Sequence, residues 1–174
     1  MKNLEDYIRT IPDFPEEGIM FRDITTVLQD AQGFTLAIDE MCKHLENVDF
    51  DLVAGAEARG FILGAPIAYK LHKPFVPIRK KGKLPFETVS QEYELEYGKA
   101  TIEMHKDSVL PGQRVVLVDD LIATGGTLAA SAALIEKLGG SVAKILCLIE
   151  LAGLKGRDLL PGYDVDALIT YAGK

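Results

Sequence analysis

Two adjacent aspartates and a turn of glycine and threonine form the part of the sequence best suited to chemistry. A valine- and leucine-rich run over residues 114–118 predicts a buried strand, which leads into Asp119 and Asp120. After two apolar residues comes Ala123-Thr124-Gly125-Gly126-Thr127, and helical spacing of apolar residues begins at Leu128. Small residues let the backbone fold tightly, so amide and hydroxyl groups can converge on an anion at the helix N-terminus. The segment therefore predicts a phosphate-binding turn.

The two acids narrow the class of ligand. Carboxylates beside a phosphate repel it, so Asp119 and Asp120 fit such a site only if ribose hydroxyls or a hydrated magnesium ion lie between. The segment lacks the Gly-Lys-Ser/Thr ending of nucleoside triphosphatases and the Gly-x-Gly-x-x-Gly of dinucleotide folds. A sugar phosphate is therefore the expected ligand. The plainer alternative is that the acids cap a strand end and the glycines make a turn.

The elements around this turn alternate between strands and helices. Short runs predict strands at residues 52–56, 75–78, 99–105, 114–118, 142–149 and 165–170, and apolar spacing predicts helices from Phe34, after Gly60 and from Leu128. The segment between the second and third strands is polar and predicted to be irregular. This alternation predicts an α/β fold, with a mostly parallel central sheet flanked by helices and a ligand at the carboxyl ends of the strands.

Composition limits the class of protein. A chain of 174 residues that is 48% hydrophobic predicts a single domain over residues 1–174. The net charge of −7 argues against nucleic-acid and anionic-membrane partners, and no run predicts a membrane span or a secretory signal. Cys42 and Cys147 stand among apolar residues without metal-ligand spacing and are predicted to be reduced core residues. We therefore expect a cytoplasmic protein.

The acids and the turn resemble the phosphoribosyl pyrophosphate (PRPP) motif of type I phosphoribosyltransferases. Other segments resemble the adenine phosphoribosyltransferase family within that group. They are Phe14-Pro15 through Gly18, Phe21-Arg22-Asp23-Ile24, the pyrophosphate loop within residues 54–64, and Leu95-Glu96-Tyr97-Gly98. Where the family more often has Asp-Ser, this chain has Glu57-Ala58, so only a backbone role carries over at Ala58.

The resemblance implies an activity and a set of site residues. It implies a pentosyltransferase of purine salvage, EC 2.4.2.7, which converts adenine and PRPP to AMP and diphosphate with Mg²⁺, as a homodimer. It assigns an N-terminal base-binding hood to about residues 1–33 and a flexible lid loop to about residues 82–98. The implied residues are Asp119, Asp120, Ala123, Thr124, Gly125, Gly126, Thr127, Arg59, Arg79, Lys80 and Lys83 for PRPP and AMP, Met20, Phe21 and Arg22 for adenine, and Glu96, Tyr97 and Arg59 for catalysis.

Two alternatives use the same phosphate turn. In the first, the acceptor is hypoxanthine, guanine, xanthine or a pyrimidine instead of adenine. In the second, the domain senses PRPP and regulates a partner, since a fold can be kept for ligand binding alone. A sensor would need the turn but neither Glu96 nor a lid.

Overall fold

A seven-stranded sheet with helices on both faces forms the centre of the molecule. The computed structural model describes residues 1–95 and 97–173. In chain order its elements are β1 (Arg9–Pro12), β2 (Met20–Asp23), α1 (Thr25–Leu28), α2 (Ala31–Lys43), β3 (Leu52–Ala56), α3 (Arg59–Lys70), β4 (Phe75–Lys80), β5 (Thr88–Leu95), β6 (Gly98–His105), β7 (Arg114–Ile122), α4 (Gly126–Lys137), β8 (Ser141–Leu151) and β9 (Val165–Tyr171). Three short 3₁₀ turns cover Leu4–Tyr7, Ala152–Leu154 and Gly156–Leu159.

The sheet is mostly parallel. Its strand order is β5-β6-β4-β3-β7-β8-β9, in which β4, β3, β7, β8 and β9 pair in parallel and β6 pairs antiparallel with both β4 and β5. The α/β fold predicted from the alternation of elements is confirmed. Within the described residues, no helix has the length and apolar character needed to cross a bilayer.

The central strand β7 is buried on both faces, as its composition predicts. Val116 and Val118 join a hydrophobic cluster with α2 and α3, whereas Val115 and Leu117 join a second cluster with α4. β7 also runs further than predicted, because its pairing with β8 continues through Leu121 and Ile122. The two aspartates are thus part of the strand rather than residues that follow it. Regular pairing fixes where their side chains point.

The predicted irregular segment before the third strand is mostly a strand. β5 pairs with β6 from Thr88↔His105 to Leu95↔Gly98. Val89 and Tyr93 are half-buried while Ser90 and Glu92 between them are exposed. An edge strand covered on one face needs few apolar residues, which is why its polar composition concealed it. The lid predicted at about residues 82–98 is therefore largely a β-hairpin rather than a loop.

The N-terminal arm contains a second, smaller sheet. β1 and β2 form an antiparallel hairpin from Arg9↔Asp23 to Pro12↔Met20. Arg9 Nη2 and Asp23 Oδ2 are 2.5 Å apart, and the Thr26 hydroxyl donates to the carbonyl of Tyr7 at 2.6 Å. The ion pair joins the two strands of the hairpin, and Thr26, which also accepts from the Arg9 amide at 3.2 Å, ties the hairpin to α1. The family resemblance implied a hood over about residues 1–33 but not this pairing.

Both cysteines are buried free thiols, as predicted. Cys42 on α2 and Cys147 on β8 belong to different hydrophobic clusters, one on each face of the sheet.

Candidate active site

Two strand-to-helix junctions meet at the carboxyl edge of the parallel strands. One leads from β3 through Glu57 and Ala58 into α3, and the other leads from β7 through residues 123–125 into α4. Between them lies a cavity of about 450 Å³. The N-termini of both helices border this cavity, so unpaired amides and the positive ends of two helix dipoles face the same space. The cavity is suited to hold more than one phosphate group.

The phosphate turn, defined as residues 123–127, has the conformation that its glycines allow. Gly125 has a φ of +87°, which is the left-handed region, and it precedes the first residue of α4. A Cβ at Gly125 would lie 2.4 Å from the carbonyl oxygen of Gly156, so a side chain is excluded on two grounds. All five turn residues line the 450 Å³ cavity. The Thr127 hydroxyl donates to the Tyr93 hydroxyl at 3.3 Å, so β5 touches the turn.

The two aspartates take different partners. The Asp120 amide donates to Asp119 Oδ1 at 2.8 Å, and Arg59 Nε donates to Asp120 Oδ2 at 2.5 Å. Asp119 stays partly open to the cavity, but the dense protein around it disfavours its charged form. Burial and the neighbouring charge of Asp120 raise the pKa of the Asp119 carboxyl well above its usual range. The charge of Asp120 raises the pKa of Arg59.

Gly60 lets the two junctions approach closely. A Cβ there would lie 3.0 Å from the carbonyl oxygen of Val118 and 3.2 Å from Asp119 Oδ1. Its absence allows the first turn of α3 to pack against the end of β7. This approach brings Arg59, the first residue of α3, within reach of Asp120.

The basic residues Arg79 and Lys80 at the end of β4 and Lys83 after it do not act as one group. Lys80 lines the cavity, whereas Arg79 and Lys83 are not among its lining residues. Glu57 accepts from the Lys80 amide at 2.8 Å and from Arg79 Nη2 at 3.3 Å, and these two contacts lower the pKa of Glu57. Lys83 lies on an exposed turn after Gly82. The Arg79 side chain thus orders the loop between β3 and α3 through Glu57.

A second cavity of about 530 Å³ lies beneath the N-terminal hairpin. Phe14 and Phe21 pack edge to face on one wall, with ring centroids 5.1 Å apart. The rest of its lining is mainly aliphatic and comes from Ile11, Ile19, Met20, Ile24, Leu121, Ile149, Leu151 and Leu154. An apolar cavity with aromatic walls and a few polar groups suits a flat heteroaromatic ligand.

The two cavities share Arg59, Asp120 and Leu121 as lining residues. A polar site bordered by helix N-termini therefore adjoins an apolar slot, and the Arg59–Asp120 ion pair marks their boundary. A ligand with phosphates at one end and an aromatic base at the other would extend across this boundary.

Comparisons with known proteins agree with this geometry. Residues 25–169 match the phosphoribosyl transferase domain family. The adenine phosphoribosyltransferase of Agathobacter rectalis is 71% identical over 174 residues, which is all of both chains. The chain belongs to the adenine phosphoribosyltransferase family. The adenine phosphoribosyltransferase of Lachnoclostridium phytofermentans is 63% identical, again over the whole of both chains.

Solved structures of the adenine phosphoribosyltransferase family share the fold. The Thermoanaerobacter pseudethanolicus structure superimposes with a TM-score of 0.94 at 58% identity, covering 97% of this chain and 100% of that one. The Saccharomyces cerevisiae structure, a complex with adenine and an imino-altritol bisphosphate, has a TM-score of 0.91 at 39% identity and covers 95% of this chain and 96% of that one.

Of the remaining residues implied by the family resemblance, some line the apolar cavity and others do not. Met20, Phe21 and Arg22 all line the apolar cavity. The Arg22 guanidinium stacks 3.8 Å from the Tyr171 ring centroid and donates to the Thr10 hydroxyl at 2.7 Å, so it joins the hairpin to β9. Tyr97 is 88% exposed and lines neither cavity. Glu96 lies outside the described residues.

Four apolar residues that line the apolar cavity from outside the N-terminal hood were not predicted as site residues. They are Leu121, Ile149, Leu151 and Leu154. Their type is that of ordinary core residues. Leu121 carried one usable signal, because it directly follows the two aspartates and must lie near whatever they hold.

Proposed function

We propose that this protein transfers the phosphoribosyl group of PRPP to adenine and releases AMP and diphosphate. In this reaction the bond from N9 of adenine to the anomeric carbon forms, the bond from that carbon to diphosphate breaks, and the base loses its N9 proton. The observation that carries the proposal is the junction of a phosphate cavity and an apolar cavity at Arg59 and Asp120. The ribose would lie at this junction, with the phosphates in the first cavity and the base in the apolar cavity.

The phosphate cavity supplies two anion sites. The phosphate turn at the start of α4 would hold the 5′-phosphate through amides and threonine hydroxyls. The amides at the start of α3, together with Arg59 and Lys80, would hold the diphosphate. Because the transition state has oxocarbenium character, fixing both ends of the donor lowers the barrier mainly by positioning and by neutralising the leaving group.

We propose that Mg²⁺ enters with PRPP rather than occupying a site built by the protein. Within residues 1–95 and 97–173, no group of three or more His, Cys, Asp or Glu side chains is arranged to hold a metal. Asp119 and Asp120 offer carboxylate oxygens that fit a hydrated cation also bound by substrate oxygens. Bound there, the ion would neutralise charge on the leaving diphosphate.

The apolar cavity supplies the base site. The ring of Phe21 and the side chain of Met20 would contact the faces of adenine, and Arg22 would fix the hairpin that carries them. We propose that Glu96 handles the proton of the base and that Tyr97 covers the reacting centre when the β5–β6 hairpin moves. Exclusion of water by such a movement would protect the donor from hydrolysis.

A single assay separates this proposal from its alternatives. Purified protein with PRPP and Mg²⁺ is offered adenine, hypoxanthine, guanine, xanthine and a pyrimidine in separate reactions, and diphosphate release is followed. We expect release with adenine alone. Release with a different base would replace the proposed acceptor. Binding of PRPP without turnover of any base would favour a regulatory sensor.

We also propose that the protein is a homodimer. Support comes from an apolar stripe on the outer face of α3, which contains Ile62, Ala65, Pro66 and Tyr69. Tyr69 is 86% exposed and Ile62 is 42% exposed, and a second copy of the chain would cover both. Sedimentation should give a dimer that Tyr69→Glu weakens, whereas Leu110→Glu at another exposed apolar position should not. A monomeric unaltered protein would contradict the proposal.

We propose a cytoplasmic location. Two free thiols buried on opposite faces of the sheet suit a reducing compartment. Fractionation of the source cells should recover adenine-dependent diphosphate release in the cytoplasmic fraction, and recovery in the membrane or exported fraction would refute the proposal.

A further inference from the structure

The segment after β8 lines the apolar cavity and packs against the phosphate turn. We define it as the bracing segment, residues 152–159, which contains two short 3₁₀ turns. Leu154 lines the apolar cavity. Two residues further on, Gly156 packs against the phosphate turn, where a Cβ on Gly156 would lie only 2.5 Å from the carbonyl oxygen of Ala123. One short segment therefore borders the base site and supports the phosphate site.

The contact with the phosphate turn is made by backbone on backbone. A Cβ on Gly125 would lie 2.4 Å from the Gly156 carbonyl oxygen, and a Cβ on Gly156 would also approach Ile122 Cγ2 to 2.8 Å. The three atoms nearest to a Cβ on Gly125 all belong to the backbone of Gly156, which cannot rotate aside as a side chain can. A shift of the bracing segment would therefore move the backbone amides of the phosphate turn.

An ion pair holds the bracing segment to the sheet. Arg157 Nε and Nη2 donate to the two carboxylate oxygens of Glu150, each at 2.8 Å, and Arg157 Nη1 donates to the carbonyl of Val165 at 2.7 Å. Glu150 lies near the end of β8 and is only 7% exposed. A two-pronged pair fixes orientation as well as distance, which a lysine ammonium would not do.

We propose that Arg157 is a positioning residue that sets the geometry of both substrate sites through the bracing segment. The inference rests on the proposed function, because it concerns how PRPP and adenine are placed. Arg157 lines neither cavity, so it acts through Leu154 on the base side and through Gly156 on the phosphate side. The two sites thereby share one support.

Three variants separate the effect of the bracing segment on the base site from its effect on the phosphate site. Leu154→Ala should raise the KM for adenine and leave the KM for PRPP near its original value, because it enlarges the base cavity alone. Gly156→Ala should raise the KM for PRPP, because its Cβ would push on the phosphate turn. Arg157→Ala should raise both values, each by roughly tenfold, as expected when a distant change misplaces a substrate by a fraction of an ångström. Arg157→Lys should restore part of the loss.

Two control variants measure what destabilisation alone does. Lys144→Ala breaks another ion pair of β8, in which Lys144 Nζ lies 2.6 Å from Asp166 Oδ2 near the opposite end of the strand. Gly162→Ala strains a glycine whose φ is +82° and whose Cβ would meet open space. Both should lower Tm without raising either KM, after rates are corrected for the folded fraction.

The outcomes distinguish this inference from the proposed function. If the unaltered protein makes no AMP from adenine and PRPP, the proposed function fails first. If it does so, and Arg157→Ala keeps both KM values within about twofold while its Tm falls as in Lys144→Ala, Arg157 is merely structural and the inference is overturned. Should Arg157→Ala not fold, Arg157→Lys and Gly156→Ala decide: an unchanged KM for PRPP in both refutes the inference.

Discussion

Removal of the Arg59 guanidinium should lower both the stability of the fold and the use of PRPP. The geometry of the Arg59–Asp120 pair gives the size of each effect. The side chain of Arg59 is 54% exposed while that of Asp120 is 10% exposed. Arg59→Ala leaves a nearly buried carboxylate without its partner, at a cost of about 1 to 2 kcal/mol once the exposed half of the guanidinium is discounted for solvent screening. A lost charge-assisted contact with diphosphate costs about 1.5 to 3 kcal/mol more. We expect kcat/KM for PRPP to fall by roughly tenfold to a hundredfold.

The Arg9–Asp23 ion pair offers a matched control for the loss of stability in Arg59→Ala. Arg9 and Asp23 are also 2.5 Å apart, with side-chain exposures of 55% and 10%. Arg9→Ala should therefore lower Tm about as much as Arg59→Ala does. Because Arg9 lines neither cavity, it should leave kcat/KM for PRPP nearly unchanged when adenine is saturating.

The assay follows diphosphate release across a range of PRPP concentrations, with thermal unfolding measured on the same preparations. If Arg59→Ala and Arg9→Ala lose Tm equally and both keep the original kcat/KM for PRPP, Arg59 does not contact the donor. The assignment of the α3 N-terminus to diphosphate would then be wrong.

Three further predictions concern single residues. Asp119→Asn should raise Tm above pH 4, because a carboxyl whose pKa is raised in the folded state lowers stability as pH rises from about 3.8 through that pKa. The same change should lower kcat/KM for PRPP, because it removes a carboxylate from the proposed substrate site. Asp23 has a pKa lowered to about 2, first by the Thr25 hydroxyl, so it should add about 1 to 2 kcal/mol at neutral pH. This contribution should vanish below pH 2, and a stability difference from Asp23→Asn that stays constant between pH 5 and pH 2 would contradict it. Gly125→Ala should abolish AMP binding measured by calorimetry, whereas Gly82→Ala, with a φ of +85° and open space, should retain it.

The phosphate turn could be predicted from sequence because its determinants are local. The acids, the glycines and the start of α4 lie within a few residues of each other, and all five turn residues line one cavity. The central strands were predictable for the same reason, since burial on both faces requires a continuous apolar run.

The base cavity and the supports of the turn could not be predicted in the same way. Gly156 lies some thirty residues from the turn it contacts, and its role comes from a backbone approach that has no sequence pattern. Leu154 is an ordinary leucine until the hairpin β1–β2 folds over it. β5 was missed because an edge strand with one covered face can be mostly polar, and five of its eight residues are.

The placement of the turn on β7 also bears on how the molecule comes apart. β7 is flanked by strands on both sides and closed off by hydrophobic clusters above and below, whereas β5 and β9 occupy the margins and β1–β2 is a separate ribbon. Fraying under mild denaturant should begin at those margins, while amides of Val116–Val118 exchange last. A molecule in which only the β1–β2 ribbon had opened would consequently still bind phosphate after it could no longer bind the base.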